Sequence, residues 1–111
     1  MTQTQLKQDN RLAEMVKNIA NTIHTGTYKT KDDSESASDY LEDVLDIQYI
    51  ISSDKEYLGA RVLVAFGGPN IWINTQTQTV EGYWWGDSSF SSYHNDPLGI
   101  DQYLEDTYNS I

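Results

Sequence analysis

The chain contains no cysteine, which excludes disulfide staples, thiol catalysis and cysteine-based zinc sites and fits a reducing compartment. It has only two histidines, His24 and His94, too few for a histidine-built metal centre. No apolar run approaches the roughly 18 residues that a membrane-spanning helix requires. The opening Met1-Thr2-Gln3-Thr4-Gln5 lacks the apolar core of a secretory signal. These absences together predict a soluble protein of the cytoplasm. Basic side chains are also scarce: seven Lys and Arg stand against seventeen Asp and Glu.

The 111 residues suffice for one core, and we expect a single domain over residues 1–111. Apolar residues make up 38% and aromatic residues 12%, enough to argue against wholesale disorder. The net charge of −10 is unevenly placed. Residues 1–31 carry two acids and five bases, a surplus of +3, whereas residues 32–111 carry fifteen acids and two bases, a surplus of −13. A surface that negative repels nucleic acid and acidic membranes and draws basic protein surfaces by long-range steering. Solubility alone is the competing explanation.

Leu12, Met15, Val16, Ile19, Ala20 and Ile23 recur at three- and four-residue spacing, which predicts an amphipathic helix that stops at Gly26. His24, in its last turn, reads as an exposed surface residue. Residues 25–38 are polar and read as a mobile connection, followed by a short helical turn that points Tyr40, Leu41 and Val44 inward. Four strands follow, at 45–52, 58–66, 71–75 and 80–85, with Gly67-Gly68-Pro69-Asn70 forcing a tight reversal. A four-residue loop there would set Phe66 opposite Ile71 and Val64 opposite Ile73. Val62, Val64, Phe66, Ile71, Ile73, Val80 and Trp84 would then share one face, and Leu63, Trp72, Tyr83 and Trp85 the other, with Arg61, Asn74 and Glu81 among them. After Gly86 the chain reads as a polar loop. Pro97 opens a last helix whose inner stripe is Ile100, Tyr103, Leu104, Tyr108 and Ile111. The expected fold class is α+β: a four-stranded antiparallel β-meander with an N-terminal and a C-terminal helix packed on one face, in the order α-β-β-β-β-α.

Seven of the fifteen positions from 32 to 46 are carboxylates: Asp32, Asp33, Glu35, Asp39, Glu42, Asp43 and Asp46. A calcium loop needs its acids ordered around a glycine, and Asp32-Asp33-Ser34-Glu35-Ser36-Ala37 has none. That leaves a solvated loop or a polyanion that imitates nucleic-acid phosphates, because a groove built for phosphates accepts carboxylates at the same spacing. Asp87, Ser88, Ser89, His94 and Asp96 put serine, histidine and acid within ten residues, yet triad members are placed by the fold, and neither serine sits in a G-x-S-x-G elbow. They read as a plain loop. Gly67-Gly68 lies between strands, away from the helix N-terminus that a phosphate cradle uses. Tyr83-Trp84-Trp85 has the stacking rings of single-strand binders without the basic groove. We expect no catalytic residue, no metal and no cofactor. Trp72, Tyr83 and Trp85 are expected to form a protein-binding patch or the face of a homodimer, or to be covered by the 25–44 segment.

The stretch from Tyr57-Leu58-Gly59-Ala60-Arg61-Val62-Leu63-Val64-Ala65-Phe66-Gly67-Gly68-Pro69-Asn70 to Tyr83-Trp84-Trp85-Gly86-Asp87 resembles small proteins carried on mobile elements of Gram-positive bacteria. The short acidic chain is similar to anti-CRISPR proteins directed at the type II effector nuclease. That resemblance implies a non-enzymatic inhibitor in a bacterial host cell. It would occupy a basic channel of the effector and block guide-RNA loading or target-DNA binding. On this reading Asp32, Asp33, Glu35, Asp39, Glu42, Asp43 and Asp46, with Asp101, Glu105 and Asp106 in support, engage the basic surface, and Trp72, Tyr83 and Trp85 add apolar anchoring. The alternative is an accessory or assembly protein that binds a partner through the aromatic sheet face.

Overall fold

The computed structural model describes residues 3–26 and 37–111, with side chains described from Arg11 onward except at Asp39. The elements run α1 (Gln3–Thr25), α2 (Ala37–Tyr40), β1 (Asp46–Ile51), β2 (Tyr57–Ala65), β3 (Asn70–Asn74), β4 (Thr79–Trp84), β5 (Asp87–Ser92) and α3 (Ile100–Asn109). The strands form one antiparallel sheet in the order β1-β2-β3-β4-β5. The fold is α+β, as the periodicity requires, but the sheet has five strands rather than four.

α1 buries Leu12, Val16, Ala20 and Ile23, four positions on one stripe, and Met15 and Ile19 pack at its margins. The helix ends where Gly26 takes a left-handed φ of +67° and its N–H bonds Thr22 O at 2.9 Å. α1 crosses β4 and β5, α3 packs on β2, and α2 braces α3. All rest on one face, where Ala60, Val62, Ile71, Ile73 and Val80 are fully buried. The helix comes so close at β4 that a Cβ on Gly82 would stand 2.5 Å from Val16 Cγ2 and 2.9 Å from Leu12 Cδ1.

Several expectations change. The polar loop expected after Gly86 is strand β5, paired to β4 from Trp84↔Asp87 to Thr79↔Ser92. Its serines carry no strand signal; pairing with β4 and cover from α1 make it a strand, with Asp87, Ser89 and Ser91 half-buried and Ser88, Phe90 and Ser92 exposed. The β2–β3 register is Val62↔Ile73, Leu63↔Trp72 and Ala65↔Ile71, with an irregularity between Leu63 and Ala65. The extra residue sets Ala65, rather than Val64, opposite Ile71. The expected pairs Phe66↔Ile71 and Val64↔Ile73 do not form, because Phe66 belongs to the turn and not to β2, and it is left 73% exposed. β1 turns Ile47 and Tyr49 to the core but leaves Leu45 and Ile51 exposed. α3 starts at Ile100, not at Pro97: Asp96 accepts from the N–H groups of Ile100 and Asp101, each at 3.0 Å. In α3, Ile100 and Leu104 are buried, whereas Tyr103 and Ile111, expected inside, are exposed.

Candidate functional site

Two surfaces stand out, and they lie on different parts of the fold. The first is the sheet face opposite the helices; no described helix packs on it. Register places Leu63, Trp72, Glu81 and Phe90 in one row across β2–β5, with Asp46 beyond Leu63 on β1. The neighbouring row holds Gln48, Arg61, Asn74, Thr79 and Ser92. Arg61 sits over the Trp72 ring, its Cζ 4.3 Å from the centroid, and its Nη2 donates to Glu81 Oε1 at 3.1 Å. The same carboxylate accepts from the Tyr83 hydroxyl at 3.1 Å and from Asn74 Nδ2 at 3.3 Å. Desolvation and the Glu81 carboxylate push the Tyr83 hydroxyl above its ordinary pKa, so it stays a donor. Tyr83 meets Phe90 edge-to-face at 5.9 Å. Glu81 thus fixes Arg61, Asn74 and Tyr83 at once, and through Arg61 it fixes Trp72. Sequence reasoning found Trp72, Tyr83, Arg61 and Glu81 on this face but missed Phe90, because it missed β5.

Trp85 does not belong to that face. It occupies the two-residue β4–β5 turn with a left-handed φ of +51° and is 78% exposed. A recess of about 530 Å³ opens there between the β2–β3 and β4–β5 turns, walled by Trp84, Trp85, Gly67, Gly68 and Asn70 among others.

The second surface is the flank around α3. Tyr57 donates to Asp101 Oδ1 at 2.7 Å, and Tyr108 donates to Lys55 O at 2.8 Å. Tyr49, Tyr57 and Tyr108 stack with centroids between 5.3 and 6.5 Å apart, which pins α3 against β1, β2 and the turn between them. This tyrosine cluster carried no signal in the sequence, since its members come from three elements. Across a recess of about 470 Å³, Glu42 faces Tyr103 and Thr107 of α3. Glu42, Asp43, Asp54, Glu56 and Asp106 are exposed, Asp101 and Glu105 partly so, and Lys55 is the one base in the same neighbourhood among the described residues. Among the described residues the only ion pair is Arg61–Glu81, so these carboxylates face no base.

Of the residues predicted to bind a partner, Asp32, Asp33 and Glu35 lie outside the described residues, as does most of the expected mobile connection. Asp39 lies in α2, its side chain outside the described set. Glu42 joins the α3 flank and Asp43 is exposed next to it in the chain, while Asp46 starts β1 and accepts from Ile47 N at 2.9 Å. The fold does not gather Asp87, Ser88, Ser89, His94 and Asp96 into one site. Asp96 caps α3, the serines lie on β5, and His94 turns toward α1. There His24, expected as a free surface group, accepts at Nδ1 from the N–H groups of His94 (3.2 Å) and Asn95 (3.3 Å). No group of three or more metal-ligating side chains occurs among the described residues. No described helix is long and apolar enough to cross a membrane. Compared with known proteins, the chain matches no family model, no curated protein and no solved structure.

Proposed function

We propose that the protein is a non-enzymatic inhibitor that works by occupancy. It lays its acidic α3 flank, with the 32–46 carboxylates, on a basic nucleic-acid-binding surface of a partner protein. In its specific form the partner is a CRISPR effector nuclease, and guide-RNA loading or target-DNA binding is blocked. The observation that carries this reading is the group of carboxylates around α3 and Glu42 that form no ion pair among the described residues, with almost no base among them. Such an array displaces the counterions of a basic groove much as a polynucleotide does. The test replaces Asp32, Asp33, Glu35, Asp39, Glu42 and Asp43 with Asn or Gln and measures guide-RNA binding by the effector in competition. Inhibition should disappear while circular dichroism stays unchanged, and wild-type inhibition should weaken as salt rises. Undiminished potency in the neutralised variant refutes the proposal.

A second reading is favoured by a separate observation, the Arg61–Trp72–Glu81–Tyr83 network on the face that no described helix covers. Arg, Trp and Tyr are the residues that most often dominate binding energy at interfaces, and here they are already held in place. An accessory protein docking a partner through this face would lose binding on Trp72→Ala, whereas the electrostatic inhibitor would keep it.

A further inference from the structure

The two edges of the sheet are guarded unequally. β1 carries a register break between Ile50 and Ile51, a common device against edge-to-edge pairing. β5 has neither lysine, proline nor bulge, and its six residues stay in unbroken register with β4. The Trp85-Gly86 turn makes Trp84↔Asp87 the closing hydrogen-bonded pair, and Tyr93 N bonds Gln78 O at 3.0 Å. Alternation then aims the backbone groups of Asp87, Ser89 and Ser91 at β4, and those of Ser88, Phe90 and Ser92 out of the sheet.

We propose that β5 pairs antiparallel with β5 of a second copy about a two-fold axis at Phe90. This register sets Phe90 opposite the partner's Phe90 and Ser88 opposite the partner's Ser92. It uses the outward N–H and C=O of all three residues in each copy, and no shifted register does so. The chemistry of the strand singles out a second copy as the occupant. In a chain of net charge −10, β5 has one charge, Asp87 at its far end, the base nearest its other end is Lys17 of α1, and the acidic flank lies away on the β2 side. Phe90 is exposed on the open face at the centre of the strand and gains an aromatic cross-strand partner, while the flanking serines are small enough for close approach. The five-stranded sheet becomes ten-stranded, and its two open faces merge into one carrying two Trp72 networks. This assembly does not depend on the inhibitor reading.

Sedimentation velocity on the full chain, from low to high micromolar, tests it. The expected result is a concentration-dependent dimer that Phe90→Lys reduces to monomer with an unchanged circular dichroism spectrum, because two like charges then face each other across the seam. Phe90→Pro should do the same, since the N–H it removes points away from β4. The chain lacks cysteine, so a single thiol reports the register directly. In a hydrogen-bonded pair the Cα atoms stand about 5.5 Å apart, within disulfide reach. Phe90→Cys should therefore cross-link under mild oxidation, and Ser88→Cys, whose mate is the partner's Ser92, should not. A wild-type chain that is monomeric throughout, a dimer indifferent to Phe90→Lys and Phe90→Pro, or equal cross-linking of the two thiol variants each overturns the proposal.

Discussion

The two faces of the sheet are built by different means. The covered face is held by volume: Val62, Ile71, Ile73 and Val80 fill the space beneath α1 and α3, and Gly82 is the gap through which α1 approaches the backbone. The open face is held by polar geometry, with one carboxylate, Glu81, receiving three donors where no described helix covers the sheet. A face that must exclude water tolerates no change of volume. A face that meets water can fix its side chains by hydrogen bonds and stacking, and it remains available for contact with another molecule.

Substitutions on the covered side should therefore cost the most stability. Ile73→Ala is expected to destabilise by about 2–5 kcal/mol, the usual range for a buried large-to-small change. Gly82→Ala adds a methyl where Val16 Cγ2 is 2.5 Å away, and overpacking of that kind costs about 1–3 kcal/mol. Urea unfolding with a constant m-value checks both. If either variant unfolds at the wild-type midpoint, α1 does not seat on β4 as described. Trp72→Ala, on the open face, should by contrast lower the unfolding free energy by only about 1 kcal/mol, the scale of an exposed cation–π pair.

That asymmetry also explains what the sequence shows and what it hides. The covered face is legible because apolar residues recur with the period of the element, as at Leu12, Val16, Ala20 and Ile23 or at Val62, Ile71, Ile73 and Val80. The open face is legible more coarsely, through an excess of aromatic residues that a solvated surface does not need. β5 is hidden because a strand made of serines has no pattern of its own and exists only through β4 and α1. The β2–β3 bulge is hidden for a related reason: a one-residue insertion leaves alternation intact on either side and shows only in which of Val64 and Ala65 meets Ile71. The acidic flank was half visible. Its charge can be counted from the sequence, but the assembly of Glu42 with α3 and the β1–β2 turn depends on Tyr49, Tyr57 and Tyr108 meeting in space.

A smaller effect belongs to the helix that carries the flank. Asp96→Ala leaves the N–H groups of Ile100 and Asp101 without their acceptor and should cost about 1 kcal/mol, the usual loss for a helix cap. Because the cap sits at the start of α3, hydrogen exchange should speed up first in its opening turn and not in β4 or β5. Uniform acceleration across the protein would mean that α3 is no separate unit on the sheet.

The smallest effect at neutral pH is the one that grows most with alkali. Burial raises the pKa of Tyr57 and of Tyr93 well above the ordinary tyrosine range, and the nearby carboxylates, Asp101 and Glu105 for Tyr57 and Asp96 and Asp101 for Tyr93, add to the rise. A group whose folded pKa exceeds its unfolded pKa contributes its stability fully below the unfolded value, about 10, and loses it as pH climbs toward the folded value. In that window the unfolded chain has released a proton that the folded chain still holds, so stability falls with rising pH. Tyr57→Phe removes the titrating group and should flatten part of that decline, at the expense of the Tyr57–Asp101 hydrogen bond at 2.7 Å. Ultraviolet absorbance of phenolate provides the direct reading: Tyr57 and Tyr93 should resist ionisation until the fold gives way. Should Tyr57 and Tyr93 ionise near the ordinary value while circular dichroism holds steady, the side on which α3 rests is not sealed from water, and the contrast between the two faces fails.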